Sequence, residues 1–325
     1  MSTNESSPLL PTTNSEYTER RQELAGLIWM AFTSLGFSFS SLFVKLSGAR
    51  FPPLEITFFR SVVQFLLAFV GCLLQGVHPF GRRDLVFGLL IRGFAGSIGL
   101  AFFYIAVTAL PLADATVLFF INPIFTAILA RIVLKESFGV LDMVASFSSL
   151  LGVGLVAKPE FIFGEDPTKN IDTQTRLMGV VAALIGASMS AIAYITVRKM
   201  GRGVPPLVHV VYFGAVSTIF SLFGTFIFEK PSLPDNSTQW MYLMMIGLTA
   251  FAGQVMLTKG LQLSPAGPGT LMRNLDVIFA FTFGVFIFHE TPNRFTILGA
   301  VLIIGSTIVV GLHKWRLSSS SGNSN

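Results

Sequence analysis

Four cations stand inside long apolar stretches of this chain: Arg60, Arg92, Lys259 and Arg273. An ionisable side chain in such a place is costly unless it snorkels, pairs or faces a wet cavity. At helical rise Arg60 lies roughly 9 Å in from one face, and Arg92 and Arg273 roughly 10–12 Å in from the other. Lys259 is shallower, about 5 Å deep, and its stem is long enough to snorkel. Arginine's planar fork gives a carboxylate or phosphate two parallel hydrogen bonds. Arg92, Arg273 and Arg60 therefore suit one chemistry, the capture of an anion within a membrane. Internal neutralisation is the competing account. Asp276 stands one turn from Arg273, an i,i+3 pair. On that account Arg92 caps backbone carbonyls beside a glycine-rich crossing, and Arg60 reaches Glu55 or the lipid headgroups.

Uncharged polar residues extend the set. Asn122 and Asp276 each lie about 15 Å into an apolar run, near the midplane. Pro123 follows Asn122 and frees a backbone carbonyl there. Tyr104 and Tyr194 add hydroxyls, and Gln254 and Asn274 add amides. Each would equally serve as a hydrogen bond between helices. Asp276 is also a candidate to carry a coupled proton, an idea that Arg273 beside it opposes. His78, His209, His289 and His313 are scattered and form no metal or acid/base spacing. No phosphate-binding glycine loop for ATP is present. The expectation is no enzyme, no metal and no cofactor.

The elements that must hold these residues are membrane helices. Apolar residues make up 52% of the 325, charged residues only 12%, and the mean hydropathy is +0.69. A water-facing surface needs about twice that charge, so soluble enzymes, disordered scaffolds and disulfide modules are excluded. Cys72 is the one cysteine. The net charge of +5 is scattered at the ends of apolar runs and is no sign of nucleic acid. Ten runs are long enough to span, beginning near Leu24, Leu54, Asp84, Leu112, Gly139, Leu177, Leu207, Thr238, Ala266 and Phe295. They do not alternate as barrel strands would. The fold class expected is all-α integral membrane, with ten transmembrane helices. Lys and Arg near the run ends favour cytosolic termini. Residues 1–23 and 313–325 read as cytosolic tails, disordered over Met1–Glu23 and Ser318–Asn325, and 159–176 as a non-cytosolic loop. Asn236 opens a sequon on the non-cytosolic side, in a loop too short for efficient glycosylation.

The chain repeats itself at a shift of about 153 residues, as from Leu24 to Leu177. Pro52-Pro53-Leu54 recurs as Pro205-Pro206-Leu207, and Lys45 has Arg198 as its counterpart. One residue further in shift, Pro111 matches Pro265, Asn122 matches Asp276 and Glu136 matches Glu290. The two copies, 24–158 and 177–312, hold five spans each. Five is odd, so the second copy lies inverted. Inverted repeats are the mark of alternating-access transporters, with the substrate near the midplane between the halves. An inverted twofold would bring Asn122 and Asp276 together there.

On these residues the chain is identified as resembling a known family. The stretch Leu110 to Glu136, LPLADATVLFFINPIFTAILARIVLKE, resembles the first repeat of the EamA family of the drug/metabolite transporter superfamily. Phe59-Arg60, Arg92-Gly93 and Phe103-Tyr104 agree, and the stretch ending at His289-Glu290 resembles the second repeat. Within the superfamily the chain is most similar to subgroup G of solute carrier family 35. The resemblance implies ten helices, cytosolic termini and a central cavity. It also implies that the fifth and tenth helices lie outside the cavity, where they can make a homodimer. Gly152, Gly154, Gly299, Gly305 and Gly311 fit such a face, although a monomer fits the sequence equally.

The function expected is secondary transport of a small polar metabolite, an organic anion, by alternating access. Nucleotide sugars are the alternative cargo, although the lysine motifs of several nucleotide-sugar carriers are missing from the ninth span. A non-transporting adaptor that regulates other membrane proteins is the other alternative. Glu5-Ser6-Ser7-Pro8-Leu9-Leu10 fits the acidic dileucine pattern that clathrin adaptors read. Glu5, Leu9 and Leu10 would direct the protein to the plasma membrane or endolysosomes, and the resemblance leaves Golgi and endoplasmic reticulum open.

Overall fold

A computed structural model describes residues 13–47, 51–110, 112–136, 139–157, 172–229, 231–289 and 294–320. Ten helical passages follow in chain order. They are α1 (Thr13–Ser47), α2 (Pro53–Leu74), α3 (Val86–Ala109), α4 (Leu112–Phe119 and Asn122–Leu129, with a π-helical turn Ala130–Leu134), α5 (Val140–Ala157) and α6 (Thr173–Met200). The rest are α7 (Pro206–Phe228), α8 (Ser237–Leu263), α9 (Ala266–Leu271 and Leu275–Phe288, joined by a 3-10 turn Met272–Asn274) and α10 (Arg294–Ser320). Nine are long and apolar enough to cross a bilayer, and Val140–Val156 in α5 is a shorter apolar helix. No strand occurs among the described residues. This protein is an all-α, multi-pass membrane protein.

The passages begin close to the positions that hydropathy picks out, with a correction at each tail: α10 continues to Ser320, into the segment read as disordered from Ser318. The tail read as disordered up to Glu23 is helical from Thr13 onward. The stretch from Glu16 to Leu24 contains neither Gly nor Pro and is rich in Glu, Arg and Gln. Such residues extend a helix already nucleated by the membrane span. Pro53, Pro206 and the Pro265 cap start α2, α7 and α9, where a missing N–H costs nothing.

The closest helix pairs are α1 with α8, α3 with α6, α2 with α7, and α5 with α10. Every pair joins the first repeat to the second. Moving each helix to its repeat counterpart turns α1–α8 into α6–α3 and leaves α2–α7 and α5–α10 unchanged. That is the pairing an inverted pseudo-twofold generates. The pairs are tight because small residues meet in them. A Cβ added to Gly99 on α3 would lie 3.1 Å from the Gly186 carbonyl on α6 and 2.6 Å from Ser190 Oγ. One added to Gly152 on α5 would lie 2.7 Å from the Gly299 carbonyl on α10. Gly152 and Gly299 thus face each other within one protomer rather than a second copy, while Gly154, Gly305 and Gly311 have open space beside them.

At the side of the membrane that carries the termini, Glu136 ties the repeats together. Arg198 Nε donates to Glu136 Oε1 at 2.6 Å, and the Ala266 N–H at the start of α9 donates to Oε2 at 2.8 Å. A carboxylate there meets the positive end of the helix dipole. Its repeat counterpart, Glu290, lies outside the described residues, as do Glu5, Leu9, Leu10 and most of the 159–176 loop.

Candidate functional site

The fourth passages of both repeats, α4 and α9, are broken at matching depths. In α4 the helix stops at Phe119 and restarts at Asn122. Pro123 explains this, since its ring removes a donor and crowds the carbonyl four residues back. In α9 a 3-10 turn over Met272–Asn274 carries Arg273, three residues before Asp276. The residue matching Pro123 is Val277, so this second break has no proline behind it. Interrupted helices near the midplane line cavities and bind substrates.

Around the α9 break the structure gathers three arginines. Arg273 Nη1 donates to the Tyr194 hydroxyl on α6 at 2.8 Å. Its Nη2 stands 3.6 Å from Asp276 Oδ2, an ion pair looser than a hydrogen bond. The Arg273 guanidinium carbon lies 4.7 Å from the Phe37 ring centre, and that of Arg60 lies 5.8 Å from the same ring. Arg60 also interacts with Tyr104 and is close enough to Arg273 to feel its charge. Tyr194 is also within electrostatic reach of Arg92. The Arg92 Nη2 donates to Gln254 Oε1 at 2.8 Å, and its guanidinium carbon sits 4.4 Å from the Phe213 ring centre. Aromatic faces suit a guanidinium because the ring's negative face offsets part of its charge.

The hydrogen bonding of this cluster is incomplete. The Nε atoms of Arg60, Arg92 and Arg273 are all buried and all lack an acceptor. Arg92 is only 3% exposed. Asp276 is the acid in contact with the group, and part of its capacity goes elsewhere, because Ser38 on α1 donates to its Oδ1 and to its backbone carbonyl. Of the three cations, Arg273 is the one that pairs with this carboxylate. Protein interiors satisfy nearly all buried donors, so three orphan guanidinium donors in one cluster make these arginines the candidate site.

The internal accounts of the cations hold only in part. Arg273 does pair with Asp276, loosely. Arg92 bonds a side-chain amide rather than backbone carbonyls. Glu55 accepts from the Ser232 N–H at 2.9 Å, so the partner considered for Arg60 is engaged elsewhere. Lys259 separates from the group. It is exposed on α8, with its Nζ 5.9 Å from the Trp29 ring centre, a placement that suits the bilayer interface.

The neutral candidates divide. Tyr104, Tyr194 and Gln254 join the arginines. Asn274 turns away, donating through Nδ2 to Ser149 Oγ on α5 at 2.8 Å. Asn122 donates to the Ala187 carbonyl on α6 at 2.9 Å and accepts from Thr126. Asn122 and Asp276 are therefore not hydrogen-bonded to each other. Each binds the leading helix of the opposite repeat instead, α6 for Asn122 and α1 for Asp276. Asn236 caps α8, its side-chain oxygen accepting from the Gln239 N–H at 2.9 Å. Phe37 and Phe213 are site residues that sequence reasoning missed, since nothing marks two rings among 33 phenylalanines. Among the described residues no group of His, Cys, Asp and Glu is placed to hold a metal ion.

Comparison with known proteins agrees with this architecture. The EamA-like transporter family matches residues 24–158 and again 177–312. Human solute carrier family 35 member G1 is 33% identical over 299 residues, spanning 90% of this chain and 80% of the relative. The probable transport protein YPL264C of Saccharomyces cerevisiae is 30% identical, over 82% of this chain and 80% of its own. The pseudopaline exporter CntI of Pseudomonas aeruginosa is 27% identical, over 89% and 97%. One solved crystal structure superposes with a TM-score of 0.76, covering 90% of this chain and 98% of its own; at 19% identity it supports the fold alone. Members of this family are transporters rather than enzymes. Two family matches in one chain, each ending its fourth passage in a broken helix, place this protein in the EamA-like transporter family of the drug/metabolite superfamily.

Proposed function

We propose that this protein is a secondary transporter of a small organic anion, which it carries by alternating access between its two repeats. One observation carries the reading. Arg60, Arg92 and Arg273 each keep an orphan Nε donor, and of the three only Arg273 has a carboxylate partner, the loosely held Asp276. A substrate bearing two or more negative charges balances that excess, and two-pronged acceptors such as carboxylates match the free edges of the guanidinium groups. Tyr104, Tyr194, Phe37 and Phe213 hold the arginines from the side and present flat apolar surfaces to the carbon skeleton.

The membrane transport of the relatives supports the general reading, and the name of the bacterial relative is that of an exporter. The exchange of partners needed for transport is available at Arg273. Its bond to Asp276 is loose at 3.6 Å and can be given up to a substrate carboxylate without breaking a short hydrogen bond. Asp276 is itself held to α1 through Ser38, so a substrate that draws Arg273 away alters a contact between the two repeats. Both termini lie on the cytosolic side in this reading, as the distribution of Lys and Arg requires.

The test is uptake of labelled organic anions, from monocarboxylates to tricarboxylates and phosphate esters, into proteoliposomes of the purified protein. Uptake that rises with substrate charge and is lost in Arg92→Ala and Arg273→Ala, with folding retained, is the expected result. Uptake of neutral or cationic metabolites in preference to anions, or unchanged uptake in both variants, would overturn the reading.

A further inference from the structure

Gln64 is the most conspicuous buried polar group outside the arginine cluster. It lies midway along α2, eleven residues after Pro53, and is 0% exposed. Neither its Oε1 nor its Nε2 has a hydrogen-bond partner. A primary amide buried with both ends unsatisfied is unfavourable for folding. Leucine, of similar size, would fill the same space without that penalty. Buried orphan amides are rare, and each calls for an explanation, a functional role among them.

Its neighbours along α2 show where it points. Val63 packs against Gly247 on α8, and Phe65 packs against Gly214 on α7. Successive helical residues are separated by about 100°, so Gln64 projects between α7 and α8. Those helices supply Phe213 and Gln254, the two residues that hold Arg92. Gly214 follows Phe213 directly, which sets Gln64 at the level of that ring. Arg60 is four residues before Gln64, one turn away on the same side of α2. Gln64 thus stands between the two ends of the cationic cluster, beside Arg60 on its own helix and near the helices that grip Arg92.

We infer that Gln64 is a specificity residue of the anion site, reading an uncharged hydrogen-bonding group, such as a hydroxyl, that the substrate carries beside its charged ends. The inference rests on the anion reading above. An amide suits the task because it donates and accepts at once, and a hydroxyl does the same. A site built to bond a hydroxyl discriminates strongly against the analogue lacking it, because the buried partner is then left unpaired.

Malate and succinate are the probes, as they differ by one hydroxyl. Uptake of each into proteoliposomes would be measured for the wild type, Gln64→Leu and Gln64→Met, with the melting temperature of each protein recorded. The wild type is expected to favour malate by roughly tenfold or more in kcat/KM. Gln64→Leu and Gln64→Met should bring that ratio near one, leave succinate uptake within about threefold, and hold or raise the melting temperature. Equal use of both acids by the wild type would preserve anion transport but overturn the role of Gln64. An unchanged preference in the variants, or a clear fall in melting temperature, would make the amide structural and overturn it as well. Uptake of neither acid by the wild type would overturn the inference together with the anion reading for dicarboxylates.

Discussion

The two broken helices occupy equivalent places and have become different things. At the α4 break Asn122 is neutral, 5% exposed and bonded at both ends of its amide, to Ala187 and Thr126. At the α9 break Arg273 keeps a buried Nε without an acceptor and pairs only loosely with Asp276, and two more arginines belong to the same cluster. The first break is a finished piece of structure. The second is the break that the proposed function makes the binding site. Inverted symmetry thus fixes where a binding site can form, while side-chain divergence between the copies decides which half supplies the charge. The cluster draws on α1, α2, α3, α6, α7, α8 and α9, and the α9 break supplies Arg273 to it.

The strongest way to break this contrast is to remove the charge. Arg273→Ala or Arg92→Ala is expected to lower kcat/KM for the transported anion by roughly 100-fold or more, the usual result of truncating a buried, hydrogen-bonded cation. Uptake assays with matched protein in the membrane check it. Asn122→Ala should show the opposite pattern. It strands the Ala187 carbonyl and the Thr126 hydroxyl, so stability should fall by about 1–3 kcal/mol, read as a lower melting temperature with KM essentially unchanged. A smaller effect follows from making the second break resemble the first. Asp276→Asn frees Arg273 from its internal carboxylate, and the anion's KM should fall roughly threefold to tenfold while turnover slows, because release must now compete with a better-exposed cation. Should KM rise instead, Asp276 contacts the substrate itself. The smallest effect is expected at Lys259→Gln, which should leave uptake within about twofold because the side chain lies at the bilayer interface beside Trp29; a larger loss would return Lys259 to the transport path.

Much of the fold was legible because it depends on one-dimensional properties. The length of an apolar run decides whether it can cross, and Pro52-Pro53-Leu54 repeating as Pro205-Pro206-Leu207 announces the duplication. Pro123 marks the α4 break for the same reason, since a missing N–H acts locally. The α9 break was not legible. Val277 stands where a proline would have signalled it, and the turn at Met272–Asn274 emerges from the packing of its neighbours. Gln64, Phe37 and Phe213 were equally silent, as a buried amide or ring looks the same in sequence whether it faces a cavity or a helix.

The sequence by itself determined that this chain is a ten-passage membrane protein built from two inverted copies, and that Arg60, Arg92 and Arg273 lie deep enough to need an explanation. Only the tertiary structure decided what each of them faces. The partners are remote in the chain, 162 residues from Arg92 to Gln254 and 79 from Arg273 to Tyr194. In water an apolar stripe reveals which face of a helix turns inward. In a bilayer the lipid is as apolar as the protein core, so that stripe fades and helix rotation is set by close packing at small residues. Rotation is what sent Lys259 outward, turned Asn274 toward α5, and brought three arginines into one cluster.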